Sequence, residues 1–172
     1  MNILYTSQEQ VQVYRFSLPI SIGVPLAAIF VQSFITHYML WLAVFDLPLL
    51  VTIFFAVARR HPVSGLVTGG LIGIVQDSLT THLIGLLGIA KTVIGFFASS
   101  LGVKLDVENP GSRMIICFSF YLLHQAIYVM IGRGLAGEAI TLPWSRVLLG
   151  AFANAFMSVP LFAILDRFKI RT

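Results

Sequence analysis

The sequence has little charge and almost no cysteine. Only 10% of its 172 residues are Asp, Glu, Lys or Arg, and 58% are hydrophobic, whereas about a quarter of a soluble domain is charged. These proportions exclude a water-soluble fold. Cys117 is the only cysteine, so an intramolecular disulfide is excluded, and its place in an apolar run indicates a small core residue.

Signatures of catalysis and of cofactor binding are also missing. There is no H-E-x-x-H, no G-x-S-x-G and no phosphate-binding loop. The four histidines are scattered, without metal-ligand spacing, at His37, His61, His82 and His124. We therefore expect no enzyme activity, no cofactor and no metal ion. The net charge of +4 comes from basic residues at the ends of apolar runs, which indicates membrane orientation rather than nucleic-acid binding.

Long apolar runs fill most of the chain. A helix that crosses the hydrocarbon needs about 20 residues, and turn signals divide this chain into six such runs. They predict an all-α integral membrane protein, one domain with six transmembrane helices and a retained first span. The predicted spans are residues 16–34, 38–58, 63–81, 83–103, 114–131 and 144–165. Spans three and four, joined by a short turn, should form an antiparallel hairpin.

The basic residues predict the orientation of these spans. Lys and Arg near span ends favour the cytoplasm, and Arg133 and Arg146 are the two that fall outside when the N-terminus is inside. We therefore expect both termini in the cytoplasm. The eight residues on the cytoplasmic side would be Arg15, Arg59, Arg60, Lys104, Arg113, Arg167, Lys169 and Arg171.

Glycines recur at helical spacing in spans three and four. Gly65, Gly69 and Gly73 follow one another at intervals of four, and Gly88 and Gly95 share one face of span four. Small residues let helix backbones approach closely in lipid, where water supplies no hydrophobic drive between helices. The pattern predicts helix packing along these two faces. The predicted packing residues are Gly65, Gly69, Gly73, Gly85, Gly88 and Gly95.

Three charged residues lie inside the predicted spans, where each is costly unless it is paired or hydrated. The helical rise places Asp46 and Lys91 about 12 Å from the outer boundary and Asp77 about 6 Å. Because Lys91 shares the small face of span four, we predict an ion pair between Asp77 and Lys91. Asp46 has two interpretations. It is a buried charge, or it is the N-cap of a shorter helix that begins near Pro48 and follows an interfacial segment.

Uncharged polar residues form a stripe on each of the last two spans. Two interpretations remain open, a hydrogen-bonded interior seam or the lining of a small-molecule or lipid pocket. The residues are Tyr121, His124, Gln125 and Tyr128 on span five, and Asn154 and Ser158 on span six.

The segment from Asp46 to Ala56 and the glycine ladder that ends at Asp77 resemble the MreD family of bacterial rod shape-determining proteins. The likeness continues through further small residues and a late Asn and Pro in the last span. These residues are Gly85, Gly88, Gly95, Asn154 and Pro160. The resemblance covers nearly the whole chain.

This resemblance implies a non-enzymatic membrane scaffold of the cell-elongation machinery that synthesises peptidoglycan, in the bacterial cytoplasmic (inner) membrane. Its partners would be an MreC-like bitopic protein, the RodA glycosyltransferase with its penicillin-binding transpeptidase, and the MreB filament. Small-residue grooves would bind a partner's helix, while Arg59, Arg60 and residues 104–113 would meet cytoskeletal or lipid partners.

The fold implied by the resemblance is similar to that of the substrate-binding subunits of energy-coupling-factor transporters. This similarity supplies an alternative function, a small-solute (vitamin-like) binding membrane subunit of a transporter. Its pocket would be surrounded by Asp77, Lys91, His124 and Asn154.

Overall fold

The computed structural model describes residues 14–80, 84–102, 109–134, 137 and 141–171, and it is all-helical apart from one pair of two-residue strands. Six α-helices follow one another along the chain, as predicted. They are α1 (Leu18–Tyr38), α2 (Leu47–Arg59), α3 (Pro62–Leu79), α4 (Leu86–Gly102), α5 (Pro110–Gly134) and α6 (Trp144–Asp166). A 3-10 helix, Leu40–Val44, precedes α2, and the strands are β1 (Tyr14–Arg15) and β2 (Ile170–Arg171).

Four stretches are long and apolar enough to cross a membrane, which makes the chain a multi-pass membrane protein. They are Leu18–Tyr38, Trp41–Arg59, Pro110–Gly134 and Trp144–Asp166. Helix α4 is apolar but has 17 residues, and α3 has 18 residues that include the glycine ladder. The crossing of all six helices stays a prediction. The predicted span ends at residues 81, 83 and 103 lie outside the described residues.

The second span differs from the continuous helix predicted over residues 38–58. The 3-10 helix ends at Val44, and α2 begins at Leu47 with Asp46 as its N-cap and Pro48 in its first turn. A proline is tolerated there because the first N–H groups of a helix have no intrahelical partner. The interpretation of Asp46 as the N-cap of a shortened helix is therefore confirmed.

Helix α2 lies at the centre of the bundle. Every residue from Pro48 to Ala58 is buried, and α2 contacts all five other helices. A helix that is apolar on all sides is buried on all sides. The surrounding helices turn large apolar side chains outward, such as Leu18, Phe156 and Trp144, as a surface that faces lipid requires.

Helices α3 and α4 form the predicted hairpin, and they have the most extensive contact of any helix pair in the described chain. Gly65, Gly69 and Gly73 lie so close to α4 that an added Cβ would collide with its backbone. The approach is mutual between Gly65 and Gly95, where each Cβ would meet the other residue's carbonyl oxygen. The two small-residue faces therefore cover each other.

Both ends of the described chain lie at the same end of the bundle. Strand β1 pairs antiparallel with β2, with Tyr14 opposite Arg171, and the ammonium of Lys169 lies 4.4 Å from the centre of the Tyr14 ring. The sequence analysis did not predict these strands. Termini at one end fit an even number of crossings, while their cytoplasmic location stays a prediction.

Candidate functional site

Several polar side chains inside the bundle contact the short segment between the 3-10 helix and α2, where the helical structure is interrupted. The first N–H groups of a helix lack intrahelical partners, and Asp46 supplies one, because its Oδ1 accepts a hydrogen bond of 3.0 Å from the Leu49 N–H. Asp46 thus caps α2 with a side chain that the protein mostly encloses.

Lys91 of α4 binds the same carboxylate. Its Nζ donates to both oxygens of Asp46, at 3.0 and 2.9 Å. The Lys91 side chain is fully buried, and the Asp46 side chain is 15% exposed. A buried ammonium needs a charged partner, so this pair ties α4 to the start of α2. Asp46 is therefore both the cap of α2 and the partner of the buried Lys91 ammonium.

Asn154 of α6 satisfies the backbone on either side of this break. Its Oδ1 accepts from the Asp46 N–H at 2.9 Å, and its Nδ2 donates to the Val44 carbonyl at 2.9 Å. The same Nδ2 also donates to the carbonyl of Gly150, four residues earlier in α6. Asn154 is fully buried, and every polar atom of its amide has a partner.

Gln32 of α1 also satisfies backbone groups in this segment. It was not among the site residues predicted from the sequence. Its Oε1 accepts from the Leu47 N–H at 3.1 Å, and its Nε2 donates to the Phe45 carbonyl at 2.8 Å. The signal was present, because a lone amide in an apolar span is costly unless it has partners. We call Gln32, Asp46, Lys91 and Asn154 the α2 clamp.

His124 and Gln125 of α5, predicted together, are separated by the structure. His124 is buried near the clamp, where the charges of Asp46 and Lys91 both act on it. Its two ring nitrogens have no hydrogen-bond partner within the described residues. Gln125 instead lines a groove at the end of the bundle where Trp144 lies. Of these two residues, only His124 therefore lies near the clamp.

Asp77 caps α4 from the neighbouring helix. Its carboxylate accepts from the N–H groups of Gly85 at 2.8 Å, Leu87 at 3.2 Å and Gly88 at 3.0 Å. The predicted packing role of Gly85 is wrong, because nothing lies within 4 Å of an added Cβ there. Gly85 has φ +109°, a conformation that favours glycine, and this backbone turns its N–H toward the carboxylate.

The predicted ion pair between Asp77 and Lys91 is wrong. Gly69 of α3 lies against the backbone of Lys91, and Asp77 is eight residues further along, a rise of about 12 Å. The carboxylate of Asp77 is also occupied by the N-terminus of α4. Lys91 pairs with Asp46 instead because both lie at the level of the α2 break.

Arg59, which the sequence predicts on a basic surface, keeps only part of its side chain exposed because neighbouring helices bind it. Its Nη2 donates to Ser21 at 2.7 Å, and its Nη1 donates to Ser64 and Thr68 at 3.3 Å each. The guanidinium also lies 5.1 Å from the centre of the Phe55 ring, a cation–π distance. Arg59 is half-buried and joins α1 to α3.

The rest of the predicted basic surface is also partly enclosed. Arg60 is half-buried in a left-handed backbone conformation, φ 53°, that ends α2. Arg113 is buried within α5 and donates to Asp166 at 2.6 Å. Lys104 and the remainder of 103–108 lie outside the described residues. Arg59 and Arg113 thus join helices at this end of the bundle.

The residues of the alternative pocket are closed to solvent. Asp77, Lys91, His124 and Asn154, which the alternative function places around a pocket, are each no more than 2% exposed. Within the described part of the chain, no group of three or more His, Cys, Asp or Glu could hold a metal ion. His82 lies outside that part.

The family model described as rod shape-determining protein MreD matches residues 11–168. No curated protein and no solved structure matches the chain.

Proposed function

The chain belongs to the MreD family of rod shape-determining proteins, and we propose that it is a non-enzymatic membrane scaffold of the machinery that builds peptidoglycan during cell elongation. Membership in the family assigns it a role in determining rod cell shape. The scaffold role rests on the geometry of the α2 clamp.

The clamp is the observation that carries this proposal. Gln32 from α1, Lys91 from α4 and Asn154 from α6 all bind the short segment between Val44 and Leu47. Removing one partner of a buried charge pair costs about 3–5 kcal/mol, and leaving a buried polar group unpaired costs about 1–3 kcal/mol. Helices fixed to one centre keep their outer faces in a constant relation, which is what a scaffold needs.

The outer face of α1 is the docking surface for a partner's transmembrane helix in this proposal. The α3 and α4 glycine faces cover each other, so they leave no groove for a partner. On α1, Gly23, Ala27, Phe30 and Phe34 are exposed at spacings of three and four, and nothing lies within 4 Å of an added Cβ at Gly23. Two small residues four apart permit close helix approach in lipid.

The partner that we propose for this face is the single helix of an MreC-like bitopic protein. Through it the scaffold would join the RodA glycosyltransferase, its penicillin-binding transpeptidase and the MreB filament. All six helices would cross the bacterial inner membrane with both termini in the cytoplasm, as the distribution of Lys and Arg favours.

The solute-binding alternative has less support. Its four pocket residues are closed off, and three of them are bound to partners in the interior. Its premise, a fold similar to the substrate-binding subunits of energy-coupling-factor transporters, stays an expectation from the resemblance.

Co-purification and cell shape together test the scaffold. We expect the wild-type chain to retain the MreC-like protein in mild detergent and to restore rods in a cell depleted of its own copy. The variant Gly23→Leu/Ala27→Leu should lose the partner and give round cells, because two larger side chains keep the helices apart. Ala163→Leu, at an exposed position of α6, is the matched control and should behave as wild type.

Two results would count against the proposal at different levels. Retention of the partner by the α1 variant would move the docking surface elsewhere on the protein. Unchanged rods after depletion, with no elongation protein co-purifying, would refute the scaffold itself.

A further inference from the structure

A groove of about 800 Å³ lies between α1 and α3, beside the end of α2. One wall is α1 from Leu18 to Ile29, and the other is α3 from Val63 to Val75. Most of the side chains along both walls are Leu, Ile or Val. The groove is thus an apolar slot that runs along two neighbouring helices.

One end of this slot is polar and carries a positive charge. Arg59 lies there with Ser21, Ser64 and Thr68 bound to its guanidinium. All three partners are neutral hydroxyls, and no Asp or Glu among the described residues forms a salt bridge with Arg59. A guanidinium has five N–H donors and matches a phosphate in geometry and charge. The end of the groove is therefore suited to an anion.

His61 adds a second donor at the same end. It lines the groove, and its Nδ1 accepts a hydrogen bond from the Ser64 N–H at 3.3 Å. With Nδ1 acting as acceptor, the neutral ring carries its proton on Nε2 and can donate from there.

We propose that the groove binds one anionic phospholipid, with the headgroup phosphate on Arg59 and an acyl chain between α1 and α3. The α3 wall runs from Val63 to Val75, a rise of about 18 Å. This length is close to the depth of one leaflet of a hydrocarbon core about 30 Å thick. The polar end lies where α2 ends and α3 begins, as a headgroup at the membrane interface requires.

Charge complementarity favours an anionic lipid over other occupants. A zwitterionic lipid would bring its own cation close to Arg59. A partner's helix would need an acidic side chain at this level to pair with Arg59, and an acidic residue in the bilayer is costly. Gly23 and Ala27 are on the same helix but do not themselves line the groove, so the inference does not depend on the proposed docking surface.

Lipid binding can be measured on the full-length protein in nanodiscs that contain equal amounts of phosphatidylglycerol and phosphatidylcholine. Native mass spectrometry of the protein released from the disc counts the retained lipids of each kind. We expect wild type to retain one phosphatidylglycerol with about a fivefold preference, the factor that corresponds to about 1 kcal/mol for one basic residue.

Two variants separate the charge from the groove. Arg59→Gln keeps hydrogen bonding but removes the charge, so the preference should fall to about one. Val67→Trp fills the apolar slot from the α3 wall, where Val67 is exposed, so the tightly held lipid should be lost while Arg59 stays in place. Leu149→Trp, at an exposed position of α6 outside the groove, is the matched control and should retain the lipid.

The proposal is overturned if Arg59→Gln keeps the preference, or if Val67→Trp and Leu149→Trp retain equal lipid. Should Arg59→Gln fail to fold, Val67→Trp against its control decides alone. A photo-crosslinker at position 67 in cell membranes gives an independent result. A phospholipid adduct supports the proposal, and a protein adduct identifies a helix as the occupant and refutes it.

Discussion

Replacing Lys91 with methionine removes a charge while keeping an unbranched side chain of similar length at a fully buried position. The carboxylate of Asp46 then loses both of its bonds to the ammonium and stays enclosed at the start of α2. The reciprocal change, Asp46→Asn, keeps an N-cap residue, because Asn caps helices about as well as Asp. It leaves the ammonium buried without an anion.

Each single variant should lose about 3–5 kcal/mol of the free energy of unfolding, the cost of an uncompensated buried charge. The double variant Asp46→Asn/Lys91→Met has neither charge and retains the cap, so it should lie within about 1–2 kcal/mol of wild type, because a hydrophobic replacement of a buried pair is often neutral. A double-mutant cycle on Asp46 and Lys91 should therefore give a large coupling energy. A second double variant, Asp46→Ala/Lys91→Met, should be about 1 kcal/mol less stable than the first double variant, because alanine cannot cap α2.

Thermal unfolding in detergent, followed by the fluorescence of Trp41 and Trp144, measures these differences. For a chain of this size about 2–4 °C corresponds to 1 kcal/mol, so each single variant should unfold roughly 6–20 °C below wild type. The reasoning is refuted if the double variant unfolds as low as the sum of the two single effects. It is also refuted if Lys91→Met alone is harmless.

Three further predictions concern the clamp and the helix contacts. Asn154→Leu leaves the Asp46 N–H buried without a partner, so thermal unfolding should show a loss of about 1–3 kcal/mol. Gly69→Ala should destabilise by about 1–3 kcal/mol because its Cβ meets α4 backbone. Gly23→Ala, where the added Cβ meets open space, should instead raise the free energy of unfolding by about 0.5–1 kcal/mol. Equal effects of these two substitutions would contradict the close contact at Gly69. Gly85→Ala should cost about 1–3 kcal/mol through its positive φ, and a neutral result would exclude strain there.

The α3–α4 hairpin is a feature that residue spacing within single helices was enough to predict. Glycines recur at intervals of four on span three and at an interval of seven on span four, so each span has one small-residue face. Two such faces on spans joined by a short turn can meet only in a hairpin, and the structure places Gly65 against Gly95. Spacing along one helix is a property of the sequence, because the helical period is constant. The second span was predicted to end at residue 58, and α2 ends one residue later at Arg59. This prediction has the same local origin, since Pro62 can only begin the next helix.

The partner of Lys91 could not be predicted from residue spacing along one helix. Two acidic residues were available, and the choice depends on how three helices are placed relative to one another. The estimated depths carried a usable signal, since Asp46 and Lys91 lie at the same distance from the outer boundary and Asp77 does not. Equal depth favours Asp46 as the partner of Lys91, whereas the shared hairpin favours Asp77, and the prediction followed the hairpin.

The sequence by itself determined that this is a membrane protein, that it has six helices, and that two of them pack through glycine. These features follow from composition and period, which are local. Only the tertiary structure decided that Asp46 binds Lys91, that Gln32 and Asn154 satisfy the break before α2, and that Arg59 turns into a groove between α1 and α3. Each of these contacts joins residues from different helices, so it depends on the relative positions of helices, which no single span encodes.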